Sequence, residues 1–241
     1  SLYLREALVV ALRGLLLARA GALPRWPLRW VSGAEWRALL AESRVAWLDG
    51  IVDGGFQRLV VLAAGGLGGA HGAGLVAQAQ RLALVPHQVL SPVVVRLAGN
   101  IFSRIEDGPA RRRTLGRVAL GLGVPLVLCG VACALLAEPV VPWLFGPGWV
   151  EAGPVLAAMA GLVVGLSLFE LGRSFCLSQR YNRLLMTGRL VQYGLFAAGC
   201  QRAAGAAEPA RLLGEALSAA TLGAALVLLV GLALATRREE G

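Results

Sequence analysis

Residues 118–137 form twenty consecutive positions without a charged side chain, with Pro125 near their middle. About 20 apolar residues in a helix cross the about 30 Å hydrocarbon core of a bilayer. A chain built around such a stretch is a membrane protein unless the rest of it argues otherwise, and the rest agrees. Of 241 residues, 57% are apolar and only 15% charged, where a soluble domain runs at about 25% charged. Too little polar side chain remains to cover a water-facing surface. The fold class read from this is all-α: a polytopic transmembrane helical bundle of about seven crossings.

Those crossings are predicted at 1–20, 45–67, 73–102, 118–137, 152–171, 184–200 and 216–235. The first is the weakest, since it carries Arg5, Glu6 and Arg13. Residues 21–44, with Pro24, Pro27 and Trp36, read as a cytoplasmic amphipathic connector containing a short surface helix at 34–43. Residues 45–241 then form a six-helix transmembrane lobe. A Gly-rich turn at 65–74 separates the second and third crossings, and Trp143 and Trp149 in the loop 138–151 suit an aromatic belt at headgroup level. The chain starts at Ser1 rather than Met, which fits a fragment or a processed piece.

All 23 basic residues are Arg and the net charge is +9. Without Lys, a Walker A phosphate loop and Schiff-base chemistry are both excluded. A pI near 10.8 would raise nucleic-acid binding, but the Arg residues lie between apolar runs, as the positive-inside rule requires. No nucleic-acid partner is expected. Alternating sides, the loops 20–46, 103–117, 172–189 and the C-terminal tail collect most of the loop Arg. The opposite loops at 65–74 and 138–150 have none, and 201–211 has Arg202 and Arg211. This orients the C-terminus to the cytoplasm. Cys129, Cys133, Cys176 and Cys200 form no CxxC pair and read as packing residues. His71 and His87 stand alone, so no metal and no cofactor are expected, and no nucleophile–base constellation suggests an enzyme.

Charged groups inside crossings usually face the bundle interior or a water-filled cavity. Asp49, Asp53 and Gln57 recur every four residues, a stripe that drifts by only about 40° per step, and Arg58 points away from Asp49. On the third crossing Arg81 and Gln88 are seven apart, with Gln78 and Arg96 within about 80° of them. The two faces predict a hydrated cavity in which Arg meets an anion such as phosphate and the carboxylates hold protons or cations. The competing reading puts Asp49 at the interface and lets Arg81 and Arg96 snorkel to the membrane edge. The cavity is preferred for Asp53, Arg58 and Arg81, and both readings stay open for Asp49 and Arg96. Glu170 is read as an i,i+3 partner of Arg173, and Gly50-xxx-Gly54 as a small-residue face for close helix approach.

The stretch FQRLVVLAAGGLGGAHGAGLVAQAQRL at 56–82 resembles bacterial polysaccharide flippases of the multidrug/oligosaccharidyl-lipid/polysaccharide exporter superfamily. Arg58, Gly69, Gly74, Arg81 and Leu82 match its pattern, whereas Gln57 stands for the usual Asp and Leu75 for the usual Tyr. A second stretch, VPWLFGPGWVEAGPVL at 141–156, is similar to the family's extracytoplasmic connector. The resemblance covers nearly the whole chain but only the second half of a two-lobed member, residues 1–20 corresponding to the last helix of the first lobe. It implies that a polyprenyl-linked oligosaccharide is turned over in the bacterial inner membrane by rocking lobes. Arg58, Arg81 and Arg96, with Gln57, Gln78 and Gln88, would hold pyrophosphate or acidic sugars, and Asp53 and Asp49 would couple an ion gradient. A missing N-terminal lobe or glycan assembly proteins are the implied partners besides the bilayer. Two other functions remain: a multidrug/cation antiporter of the same superfamily, with an acidic, aromatic-lined cavity, and a non-transporting scaffold of a glycan synthesis complex, which needs no intramembrane charge.

Overall fold

The computed structural model describes residues 32–102 and 108–238. The predicted crossing 1–20, the start of the connector at 21–31, part of the basic loop at 103–107 and the end of the tail at 239–241 lie outside them. Every regular element among the described residues is helical: α1 (Gly33–Phe102), α2 (Gly108–Phe145), a single 3₁₀ turn (Pro147–Trp149), α3 (Ala152–Ala158), α4 (Ala160–Ser178), α5 (Asn182–Ala203) and α6 (Pro209–Arg238).

The chain divides into two compact units, Ser1–Arg44 and Val45–Gly241. In the first unit, Ser32 and Glu35 form a reciprocal capping box. The Glu35 N–H donates to Ser32 Oγ (3.2 Å) and the Ser32 N–H to Glu35 Oε2 (2.7 Å). That backbone donor holds the Glu35 carboxyl below the usual carboxylate range. Trp36 and Leu40 are exposed on α1, which continues past residue 43 instead of ending there as the predicted short helix would.

The second unit is a multi-pass membrane bundle. Four stretches are long and apolar enough to cross a bilayer: Ser43–Val89, Arg113–Phe145, Ala152–Ser178 and Pro209–Ala235. The first has 47 residues and as one straight helix would be about 70 Å long. It instead folds back at Gly69, whose φ of 62° and ψ of −166° lie in a region open essentially to Gly alone. The proof is a hydrogen bond, since Gln80 Nε2 donates to Gln57 Oε1 at 3.3 Å across 23 residues. A straight helix would hold those groups about 35 Å apart. The predicted turn at 65–74 thus contracts to one residue between two antiparallel arms, 45–68 and 70–102.

Helix α2 outruns its predicted crossing at both ends and carries Pro125, Pro139 and Pro142. Leu120, Val124, Leu128, Val131 and Leu135 stand exposed along it, an apolar face suited to lipid. The fifth predicted crossing corresponds to α3 and α4, interrupted at Met159, whose N–H is shared between the carbonyls of Val155 and Leu156. Helix α5 is 22 residues long, about 33 Å. It matches the sixth predicted crossing yet is not among the four apolar stretches, because Arg189 and Gln192 interrupt it.

Close approach occurs where α4 meets α6. A Cβ on Gly165 would lie 2.7 Å from the backbone nitrogen of Leu222, and one on Gly161 2.9 Å from Ser218 Cβ. Among the described residues nothing lies within 4 Å of where a Cβ on Gly50 or Gly54 would stand, so the predicted small-residue face there meets no described helix. The working Gly-xxx-Gly pair is Gly161/Gly165. At one end of the bundle the hairpin turn, the start of α3 and the α5–α6 loop converge. His71 Nε2 lies 2.7 Å from Glu151 Oε2, and both residues share a cavity with Glu208 and Arg211. The three Arg-poor connections therefore sit together, as the alternation of crossings demands.

Candidate functional site

Folding at Gly69 brings Gln57-Arg58 on the first arm opposite Gln80-Arg81 on the second. Arg58 precedes Gly69 by 11 residues and Arg81 follows it by 12, which puts both about 17 Å from the turn along the arms, about half the roughly 30 Å thickness of a hydrocarbon core. Gln80 donates to Gln57, and Arg81 Nη1 donates to Gln78 Oε1 at 3.4 Å. Rotation of the first arm is fixed from behind. Phe56, 1% exposed, packs edge-on against Tyr193 and Phe196 at centroid distances of 5.2 and 5.3 Å. With Phe56 turned inward, Gln57 and Arg58 are left exposed, as Arg81 is across from them. An Arg facing lipid at the bilayer centre would cost about 2.5–3.5 kcal/mol. Gln88, two turns beyond Arg81, is exposed as well. Arg96 lies on the helical backbone of the second arm, and its side chain is outside the described residues.

A second constellation lies toward the other end of the first arm. Asp49 precedes Gly69 by 20 residues, about 30 Å along the helix. Its side chain is fully buried. Arg189 Nε donates to Asp49 Oδ1 at 2.8 Å, and Arg173 Nε donates to Asp49 Oδ2. Arg189 Nη1 also reaches Asp53 Oδ1 (2.8 Å) and Gln192 Oε1 (3.0 Å), while Arg173 Nη1 donates to Glu170 Oε2 at 3.1 Å. The Arg189 guanidinium lies 4.5 Å over the Phe169 ring, a cation–π contact that helps a desolvated charge. Nearby, the Tyr193 hydroxyl donates to the Val52 carbonyl at 2.6 Å, and His87 Nδ1 is 3.1 Å from Ser167 Oγ. Three carboxylates thus share two guanidinium groups. The network ties the first arm to α4 and α5.

The sequence-derived candidates divide between these two places. Asp49, Asp53 and Gln57 do share a stripe, but its drift carries it from full burial at Asp49 through 40% exposure at Asp53 to an open surface at Gln57. Asp49 accordingly faces no cavity; it is enclosed by ion pairs. Asp53 is the partly open carboxylate. The Glu170–Arg173 pair forms as expected, although Arg173 serves Asp49 at the same time. Arg189 was missed. Assigned to the loop 172–189, it lies two turns inside α5 and is 2% exposed, so neither it nor Arg173 belongs in a count of loop charges. Two carboxylates on an apolar helix require cations at the same depth, and Arg189 is one of few Arg residues in apolar surroundings. That signal was present.

A model of a polysaccharide biosynthesis protein family matches residues 12–154. The matched span holds both hairpin arms, with the Gln–Arg belt and the two Asp residues, and ends before Arg173 and Arg189. No curated protein and no solved structure matches the chain.

Proposed function

This chain belongs to the polysaccharide biosynthesis protein family, and from that premise we propose that it moves a lipid-linked oligosaccharide across the bacterial inner membrane during cell-surface polysaccharide assembly. The observation that carries this reading is the Gln57–Gln80 hydrogen bond that sets Arg58 and Arg81, both exposed, on facing arms of the hairpin. Guanidinium groups present planar, paired donors to phosphate oxygens, and the Gln amides offer both donors and acceptors to sugar hydroxyls. The polar head of the substrate passes along the belt and on past Gln78 and Gln88, while its lipid tail stays in the bilayer beside apolar helix faces. A further helical lobe covers the belt and completes the passage. The buried Asp49–Arg189–Arg173 network clamps the first arm against α4 and α5, leaving Asp53 to exchange a proton or cation as the arm moves. The C-terminus and the basic loops lie in the cytoplasm. A belt with two Arg suits an anionic head and disfavours the cations that an antiporter would carry.

Substitution of the belt tests this reading. Arg58→Ala and Arg81→Ala are expected to abolish surface polysaccharide at unchanged membrane abundance, with Arg81→Lys restoring only part of it because a point charge lacks the forked geometry. Arg202→Ala, at the end of α5, serves as the control. Export at the parental level from Arg58→Ala and Arg81→Ala would overturn the reading.

A further inference from the structure

The turn end of the hairpin, far from Asp49, holds a cavity of about 440 Å³ lined by Gly68, His71, Leu75, Glu151, Glu208 and Arg211 among others. Sites for small molecules run at about 300–1,000 Å³. Its polar groups are already paired with one another: His71 with Glu151 at 2.7 Å, and Arg211 with Glu208 at 3.4 Å and with Glu215 at 3.5 Å. Leu75, Pro154 and Val155 supply apolar surface beside them. An adjoining cavity of about 240 Å³ shares His71 and Leu75 and is walled by Trp149. Where a side chain at Gly68 would begin there is open space, with nothing within 4 Å.

This chemistry selects among ligands. Two carboxylates against one guanidinium repel an anion. A cation would compete with Arg211 and His71 for carboxylates that they already hold, and a wholly apolar ligand would strip water from four polar side chains and return nothing. A polyhydroxyl compound meets none of these objections. Its hydroxyls donate to Glu151 and Glu208 and accept from Arg211, and its C–H faces lie on Leu75 and the Trp149 indole. We infer that this cavity is a subsite for an uncharged saccharide. Resting on the transport reading, it takes the sugar portion of the substrate at the end of the passage opposite the Asp49 network, while the belt holds the phosphate. The two sites are about 17 Å apart along the hairpin, a span that a short oligosaccharide bridges.

The test uses the full chain in lipid nanodiscs free of glycoside detergent. Saturation-transfer NMR is recorded with maltose, cellobiose and N,N′-diacetylchitobiose as uncharged probes, digalacturonate as the anionic one and spermidine as the competing cation. At least one uncharged disaccharide is expected to receive saturation. Its affinity should fall about tenfold or more in Glu208→Gln, which loses a charged acceptor, and in Gly68→Leu, which fills the open space. Arg202→Gln should bind as the parent does. No transfer from any uncharged probe, transfer that survives both Glu208→Gln and Gly68→Leu, preference for digalacturonate, or displacement by spermidine would each overturn the subsite. Failure here with export still lost in Arg81→Ala removes the subsite and spares the transport reading. Binding as expected with normal export in Arg81→Ala does the reverse.

Discussion

With both oxygens of Asp49 occupied by guanidinium donors and none of its side chain exposed, removing Asp49 or Arg189 leaves buried charge short of a partner. Breaking a buried pair in this way costs about 3–5 kcal/mol, whereas replacing both members by apolar groups is often neutral. Asp49→Leu and Arg189→Met are each expected to lower the thermal midpoint of the detergent-solubilised protein well below the parent's. The double variant should recover part of the loss, since Asp53 and Gln192 then lose their shared donor and Arg173 keeps Glu170 as its acceptor. Midpoints equal to the parent's for both single variants would mean that the network is not formed. At this scale the sequence was partly legible. A period of four placed Asp49, Asp53 and Gln57 on one stripe, and a spacing of three paired Glu170 with Arg173. The cations for Asp49 could not be read from spacing, because Arg173 and Arg189 lie 124 and 140 residues away and only packing brings them in.

The hairpin is the element on which the functional reading turns, for it alone sets Gln57-Arg58 against Gln80-Arg81. In a background lacking the four native Cys, Gln57→Cys with Gln80→Cys is expected to join through a short bifunctional thiol reagent, and Gln57→Cys with Gln88→Cys is not. Helix pitch explains the contrast, since Gln88 lies about 12 Å further along the second arm. Joining of the second pair but not the first would place the turn elsewhere. Hydropathy and the run of Gly found both arms, yet spread the turn over ten residues. What the Gly content could not convey is that Gly65, Gly66, Gly72 and Gly74 remain helical and that Gly69 alone takes the positive φ. Similarly, α5 reads as only weakly apolar because Arg189 and Gln192 count against it, although the charge is compensated by residues on other helices.

For the whole molecule, grouping of the Arg-poor connections at one end makes sidedness measurable. His71→Cys and Glu208→Cys in the Cys-free background are expected to react with a membrane-impermeant maleimide in intact cells, and a Cys in place of Arg113 only after the membrane is opened. Reaction of Arg113→Cys from outside would reverse the orientation. The alternation that places these loops together was visible from the sequence, since it needs only the order of crossings and the positions of Arg. The cavity that they enclose was not, because it is built from His71, Glu151 and Glu208 on three separate segments. Transport itself is tested most directly by the leaflet that holds the lipid-linked oligosaccharide in cells from which this chain has been deleted. A finished oligosaccharide should accumulate on the cytoplasmic leaflet, shielded from an impermeant glycosidase in inside-closed cells and cleaved once they are opened, and the parental chain should return it to the outer leaflet. Finding it on the outer leaflet of the deleted cells, or finding it unfinished, would contradict the claim that this protein moves it.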